Sequence, residues 1–263
     1  MPTFDSPEPI SARIDIAAGT VRVRAGQRTT TVVDVRPADP RKSADVEAAA
    51  QTRIEYENGR LLVATPRRPR LTLFGIPASV EVEILVPEGS AVDAVSAAGS
   101  VDCEGRLGDV RVAGKYGDVR IDRAALVRAH TSAGNVTIAE AEGAVEAGTS
   151  YGGIRVGSAG GTMRLDSACG DISVDRAESS VHAITKYGQV RVGEAVRGSL
   201  DLETAYGTVE AGVREGTAAW LDVHSGSGRV RNLLDATDGP EDAGETVEIR
   251  ARTAYGDVVV RRS

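Results

Sequence analysis

The chain has 263 residues, and 30 of them are glycine, about 11 % against roughly 7 % in an average protein. Hydrophobic residues make up 41 % and charged residues 26 %, which excludes a disordered chain. The longest apolar runs are far shorter than the roughly 20 residues that cross a bilayer, and the net charge of −7 opposes general binding to phosphate backbones. We therefore expect neither membrane insertion nor a nucleic-acid partner.

The first residues and the two cysteines predict the compartment of the chain. Residues 1–8 contain neither the basic start nor the apolar stretch of a secretory signal, so the predicted compartment is the cytoplasm. Cys103 and Cys169 agree with reduced thiols in that compartment.

Residues 1–95 are predicted to form a β-rich capping segment, because they lack the glycine period of the later chain. A short helix is predicted over residues 44–51, with Ser43 as its N-cap and Asp45 in its first turn. Alternating apolar residues predict five strands, namely Ala12–Ile16, Thr20–Arg24, Thr30–Arg36, Leu61–Ala64 and Val80–Val86.

Turn residues connect these predicted strands. Asn58-Gly59 lies between two strand-like runs and predicts a tight β-hairpin. Residues 66–70 predict a basic loop, and residues 235–245 predict an acidic loop near the other end of the chain.

Residues 96–263 contain a repeat in which glycine and one further residue precede an alternating aliphatic pair. Gly108-Asp-Val-Arg-Val, Gly117-Asp-Val-Arg-Ile and Gly188-Gln-Val-Arg-Val are clear examples. Successive glycines lie mostly nine residues apart, and a longer series follows Tyr, Ala or Cys in steps of 17, 18, 18, 18 and 19 residues. One unit of nine residues is the length of a strand and a turn.

Two such units per period predict an all-β parallel β-solenoid, similar to a β-helix, with about 18 residues per coil. Each glycine of the longer series is expected at a bend, with a positive φ or with no room for a Cβ. An antiparallel meander of nine-residue hairpins is the competing topology, and the general crossover rule alone favours a right-handed coil.

Stacking of the predicted coils places equivalent residues of successive coils in columns. From Gly134 onward a hydroxyl stands three residues before each glycine of this column and predicts a ladder near the bend. The tyrosines directly before the glycines are interpreted as corner packing on the inward phase, and Cys103 and Cys169 as small core residues. The hydroxyl residues are Thr131, Thr149, Ser167, Thr185, Thr204, Ser225 and Thr253.

Arginines recur three residues after the glycines, on the outward phase. They form the candidate interaction stripe, which could bind carboxylates or phosphates of a partner because guanidinium groups bind these bidentately. Charge separation on a solvated sheet is the alternative interpretation. The stripe comprises Arg120, Arg155, Arg191 and Arg231.

No catalytic, metal or cofactor site is predicted. His130 and His224 share a column but lie about five coils apart, roughly 24 Å, too far for one zinc ion. Asp, Asn, Gly, Gln and Thr alternate after the bend glycines and do not assemble the oxygens that Ca²⁺ needs. Asp201, Glu203 and Asp222 are interpreted as a solvated acidic face, although paired carboxylates could cleave a glycoside.

The glycine units, the Thr-Ala-Tyr-Gly elements at Tyr206 and Tyr255, and the strand Val82–Pro87 with its Val-Pro-x-Gly end carry a family resemblance. The chain resembles the bacterial putative-adhesin β-strand-repeat family, a domain of unknown function. The resemblance covers nearly the whole chain and implies a β-helix-like solenoid and a surface-adhesin role. It brings no catalytic residues.

The sequence therefore predicts a non-enzymatic scaffold that presents extended β-sheet faces to a protein or an acidic polymer. A β-helix that binds carbohydrate or another ligand is an alternative, and so is a solenoid that self-associates through its terminal coils.

Overall fold

The computed structural model describes residues 1–66, 78–234 and 244–263, and all structural statements concern these residues. They form one α-helix and twenty-two β-strands. The chain divides into two compact units, Met1–Ser132 and Ala133–Ser263. Most of the predicted basic loop, and all of the predicted acidic loop apart from its last two residues, lie outside the described residues. The predicted division at residues 95 and 96 stays a prediction.

The described residues of the first unit form one helix and nine strands. The structure has the following elements: β1 Thr3–Asp5, β2 Ser11–Gly26, β3 Thr30–Pro37, α1 Ser43–Ala50, β4 Arg53–Glu57, β5 Arg60–Ala64, β6 Val80–Pro87, β7 Ala91–Ala98, β8 Val101–Tyr116 and β9 Val119–Ala133.

The predicted strands, helix and hairpin of this unit are confirmed. Asn58 and Gly59 have φ angles of 49° and 72°, which suit a two-residue turn between antiparallel β4 and β5. Lys42 is the N-cap of α1 and Ser43 is its first helical residue, so the predicted cap is wrong by one position. The buried carboxylate of Asp45 accepts backbone N–H bonds from Asp39 at 3.2 Å and Ser79 at 2.9 Å, which joins α1 to the chain before β6.

Strand β2 forms a complete coil, which the sequence analysis missed. Its first half pairs in parallel with β5 and β7, and its second half pairs in parallel with β6 and β8. Between the halves the chain bends at Gly19, where φ is 129°. Gly19-Thr-Val-Arg-Val has the same pattern as the later units, and this was the signal that could have revealed the coil.

The second unit consists of short parallel strands in two rows. The first row contains β11 Val145–Tyr151, β13 Met163–Cys169, β15 Val181–Tyr187, β17 Gly198–Tyr206, β19 Thr217–Ser227 and β21 Glu245–Tyr255. The second row contains β10 Val136–Ala141, β12 Ile154–Ala159, β14 Ile172–Ala177, β16 Val190–Ala195, β18 Val209–Val213, β20 Val230–Asn232 and β22 Val258–Arg262.

The register confirms the parallel solenoid. Val136 lies opposite Ile154, which is 18 residues later, and Ile172 lies opposite Val190 at the same interval. The interval becomes 19 residues where Val181 lies opposite Leu200. Each strand therefore pairs with the equivalent strand of the next coil, and the antiparallel meander is wrong for these strands.

Aliphatic residues from both rows fill the core. Met163, Leu165, Leu200 and Leu202 of the first row are fully buried, as is Ile172 of the second row. The residues between them in sequence point outward, so strict alternation on each strand separates the core from the solvent.

The last coils do not stack in chain order. Strand β17 pairs with β21, and β21 pairs on its other side with β19. In the second row β18 pairs with β22, and β22 pairs with β20. The C-terminal coil is therefore inserted between two coils that precede it in sequence, and β19 and β20 form the last coil of this unit among the described residues.

Candidate interaction surface

The residues before the bend glycines form one column along the first row, which we call the tyrosine column. The strand registers place Tyr151 opposite Cys169, Cys169 opposite Tyr187, Tyr187 opposite Tyr206, and Tyr206 opposite Tyr255. Ser227 lies opposite Tyr255 on the terminal strand β19.

Three neighbouring tyrosines of this column stack face to face. The ring centroids of Tyr187 and Tyr206 are 5.1 Å apart with an interplanar angle of 6°. The rings of Tyr206 and Tyr255 are 4.9 Å apart at 4°. The separation follows the spacing of paired strands, so the backbone ladder sets the ring spacing.

The column faces the solvent, so the prediction that these tyrosines pack on the inward phase is wrong. Between 48 % and 68 % of each residue is exposed for Tyr151, Tyr187, Tyr206 and Tyr255. Tyr116, at the equivalent position in the first unit, is also exposed. Cys169 is half-buried, and therefore it is not the core residue that the sequence predicted.

The inner position of each bend is already filled by a hydroxyl residue. Thr185 Oγ1 donates a 3.0 Å hydrogen bond to the carbonyl oxygen of Gly170 on the neighbouring coil. Thr204 makes the same bond to Gly188 at 2.9 Å. All seven predicted hydroxyls donate to a glycine carbonyl in this way, so they bind the adjacent backbone and not one another.

The backbone at the bend excludes a side chain. At Gly188 φ is 151°, and a Cβ would lie 2.3 Å from the carbonyl oxygen of Gly170. Alternation thus ends at the threonine, and the following tyrosine projects from the corner.

The stacking determines what the tyrosine column can bind. Both faces of Tyr206 are covered by its neighbours, which leaves ring edges as the contact surface in the middle of the stack. Aromatic ring edges with phenol groups are typical of protein interfaces, where tyrosine is enriched among residues that contribute most to affinity. Sugar binding uses open ring faces, and in the middle of the stack both faces of Tyr206 are covered.

The candidate carboxylates Asp201, Glu203 and Asp222 are exposed on the outward face of the first row, and Asp201 and Asp222 have side-chain partners. Asp201 Oδ2 lies 3.0 Å from His182 Nδ1, and Asp222 Oδ2 lies 3.0 Å from a guanidinium nitrogen of Arg252. The side chains are exposed on both sides of the latter pair. This arrangement agrees with a solvated charged face.

The arginines of the interaction stripe are also paired. In the first unit Arg120 lies 3.0 Å from Asp118 and 3.3 Å from Asp102. In the second unit Arg155 lies 3.0 Å from Asp175, and weaker pairs join Arg191 to Glu210 at 3.8 Å and Arg231 to Asp257 at 3.7 Å. The guanidinium groups therefore have carboxylate partners within the chain, and binding by the stripe stays a prediction.

The residues after the bend glycines connect coils through their side chains. Asn135 Oδ1 accepts the backbone N–H of Gly153 at 2.9 Å, and Asp171 Oδ1 accepts that of Gln189 at 2.8 Å. These side-chain bonds reach the next coil. Among the described residues no group of three or more His, Cys, Asp or Glu side chains could hold a metal ion.

The two cysteines differ in environment. Cys103 is buried in the first unit, and burial raises the pKa of its thiol to about 12, with a smaller contribution from the charge of Asp102. It therefore stays a neutral thiol at physiological pH. Cys169 occupies the tyrosine column.

The stacked glycine bends and in-register coils define a parallel β-solenoid punctuated by glycine. Residues 11–261 match the Toastrack DUF4097 family, a domain of unknown function, and the chain belongs to this family. The predicted family resemblance is thereby confirmed. No curated protein sequence matches the chain.

Several solved structures are similar to this chain at low identity. A putative adhesin from Bacteroides fragilis is 10 % identical, with 98 % of this chain and 95 % of that chain covered and a TM-score of 0.47. A putative lipid binding protein from Parabacteroides distasonis is 12 % identical, with 100 % and 94 % covered and a TM-score of 0.39. A putative cell adhesion protein from Clostridium sporogenes is 12 % identical, with 100 % and 98 % covered and a TM-score of 0.28.

Helices long and apolar enough to span a membrane do not occur in the described part of the chain.

Proposed function

We propose that the chain is a non-catalytic scaffold that binds a protein partner along the tyrosine column. The observation that carries this proposal is the exposed stack of Tyr187, Tyr206 and Tyr255 on consecutive paired strands. Ordered aromatic side chains lose little conformational entropy on binding, because their neighbours already hold them. A rigid aromatic ridge of this kind suits a protein surface.

Two further features support a scaffold. Each bend is held by a hydroxyl bond and by backbone bonds between coils, so the column does not depend on a flexible loop. Of the carboxylates that are candidates for acid–base chemistry, Asp201 lies in a hydrogen bond with His182 and Asp222 in an ion pair with Arg252, both on an exposed face. An adhesin-like role is the special case in which the partner belongs to another cell surface, and a cytoplasmic location stays a prediction.

The test is a crosslinking and capture experiment from the native cell with three forms of the protein. The first is the wild type, the second carries Tyr187→Ser, Tyr206→Ser and Tyr255→Ser, and the third carries Arg155→Ser, Arg191→Ser and Arg231→Ser. We expect the tyrosine variant to lose the captured protein and the arginine variant to retain it. Circular dichroism checks that both variants keep their β-structure.

The opposite outcome separates the alternatives. If only the arginine variant lost the captured protein, the binding site would be the interaction stripe and not the tyrosine column. Saturable binding of the wild type to an oligosaccharide on a glycan array, abolished in the tyrosine variant, would replace the protein partner by a carbohydrate.

A further inference from the structure

The terminal coil of the second unit, formed by β19 and β20, has an open side. Strand β19 pairs with β21, and strand β20 pairs with β22. Among the described residues neither strand has a strand partner on its other side. Alternate backbone N–H and C=O groups of β19 are therefore available to another strand.

The core is also open at this coil. Leu200 on strand β17 is fully buried, whereas Leu221, which occupies the same column on β19, is only half-buried. Val223 is half-buried, and Val230 on β20 and Leu233 after it are exposed. In the remaining coils the equivalent apolar side chains face a covered interior. In the terminal coil they meet solvent, as expected for a coil that lacks its neighbour.

The corresponding position in the first unit is covered. Strand β5 pairs with antiparallel β4, and β6 pairs with antiparallel β3, so the coil that contains β5 and β6 has neighbours. Helix α1 packs on β3 and β6. Leu61 and Val63 are accordingly buried. Among the described residues, the core is therefore covered at this coil of the first unit, whereas it is open at the terminal coil of the second unit.

We propose that β19 is a homodimer interface, at which two copies of the chain pair their β19 strands antiparallel about a two-fold axis. A two-fold contact uses the same surface on both copies, so the β19 edge of each copy pairs with the β19 edge of the other. Because each copy contributes its β19 edge to the same contact, this contact closes at two copies.

The residues of β19 favour one register. With the axis at Val223, the two Val223 side chains face each other, and Asp222 of each copy lies opposite His224 of the other. Moving the axis by one residue to Asp222, which slides one strand by two residues along the other, would place Asp222 opposite Asp222, and this is unfavourable. The outward Trp220 lies opposite Gly226 in the favoured register, so its large side chain meets no bulky neighbour.

The test is sedimentation velocity of the whole chain over a wide range of concentration. We expect a reversible monomer–dimer equilibrium in the wild type and a monomer for Val223→Lys, because an inward-pointing charge on an edge strand opposes pairing. Val95→Lys is the matched control, since Val95 is an exposed valine on β7 of the first unit. It should dimerise like the wild type.

A second variant tests the register without a change in the core. His224→Asp places two negative charges opposite each other, and we expect it to raise the dimer dissociation constant at least tenfold, whereas His224→Lys should leave the dimer intact. A wild type that stays monomeric at all concentrations would overturn the proposal. A dimer that persists unchanged in Val223→Lys, or oligomers larger than two, would overturn it as well. None of these results depends on the tyrosine column.

Discussion

At the scale of single residues, the bend is the point where sequence and fold are most tightly linked. Gly188 has a φ of 151° and lies against the backbone of Gly170 on the previous coil. Glycine is required there for two reasons, because L residues avoid this φ and because a Cβ would collide with a carbonyl oxygen. The same contact brings the carbonyl of Gly170 within reach of the hydroxyl of Thr185.

We expect Gly188→Val to lower the free energy of unfolding by about 1–2 kcal/mol or more. The measurement is urea denaturation followed by circular dichroism. Gly26→Ala is the control, because no atom lies within 4 Å of a Cβ at Gly26 and its φ is not in the left-handed region. Equal stability of the Gly188 variant and the wild type would show that the bend does not need glycine.

At the scale of elements, burial of equivalent residues depends on the position of their coil. Leu200 on β17 and Leu221 on β19 both lie opposite Ile249 of β21, one on each side of it. Leu200 has a coil above and below it, and Leu221 has a neighbouring coil on one side. The two leucines can therefore be compared directly: Leu200 reports on burial in an interior coil, and Leu221 reports on burial in the terminal coil.

Leu200→Ala should cost about 2–5 kcal/mol, the range for truncation of a buried leucine. Leu221→Ala should cost clearly less, because part of that side chain is already in water and a cavity can collapse or fill. Thermal and urea unfolding of both variants, measured at a protein concentration low enough to populate monomers, gives the comparison. Similar losses for the two variants would mean that the edge coil is covered.

At the scale of the whole molecule, the charges contribute little to the folding free energy. Ion pairs join neighbouring coils on the surface, for example Arg155 with Asp175 and Arg252 with Asp222, and these side chains are more than half exposed. Solvent and salt screen such pairs, which are worth about 0–1 kcal/mol each. The apolar core and the backbone ladder therefore carry the stability.

We expect the urea midpoint of unfolding to change little when NaCl is raised from about 0.05 M to about 1 M. The added salt shortens the Debye length and screens the surface ion pairs, but it does not weaken the apolar core. Urea is used since it is uncharged. A large loss of stability at high salt would assign the ion pairs a structural role that their exposure does not suggest.

The sequence alone predicted the repeating part of the fold. Period-two alternation and the glycine interval favour parallel coils of about 18 residues, since stacking buries the apolar face of each unit, and the strand register then excluded the antiparallel meander. The hydroxyl positions followed from the same interval. The coil of β2 was missed because one glycine unit, at Gly19, stands outside the periodic region.

Two features were decided by the tertiary structure. The tyrosines point outward because alternation holds only along a straight strand, and at the corner a threonine that binds the neighbouring backbone already fills the inner position. The insertion of β21 and β22 between earlier coils is equally invisible in sequence, because every coil carries the same pattern and could pair with any other. A repeat specifies how coils stack, whereas the order of the last coils depends on contacts that are distant in the chain.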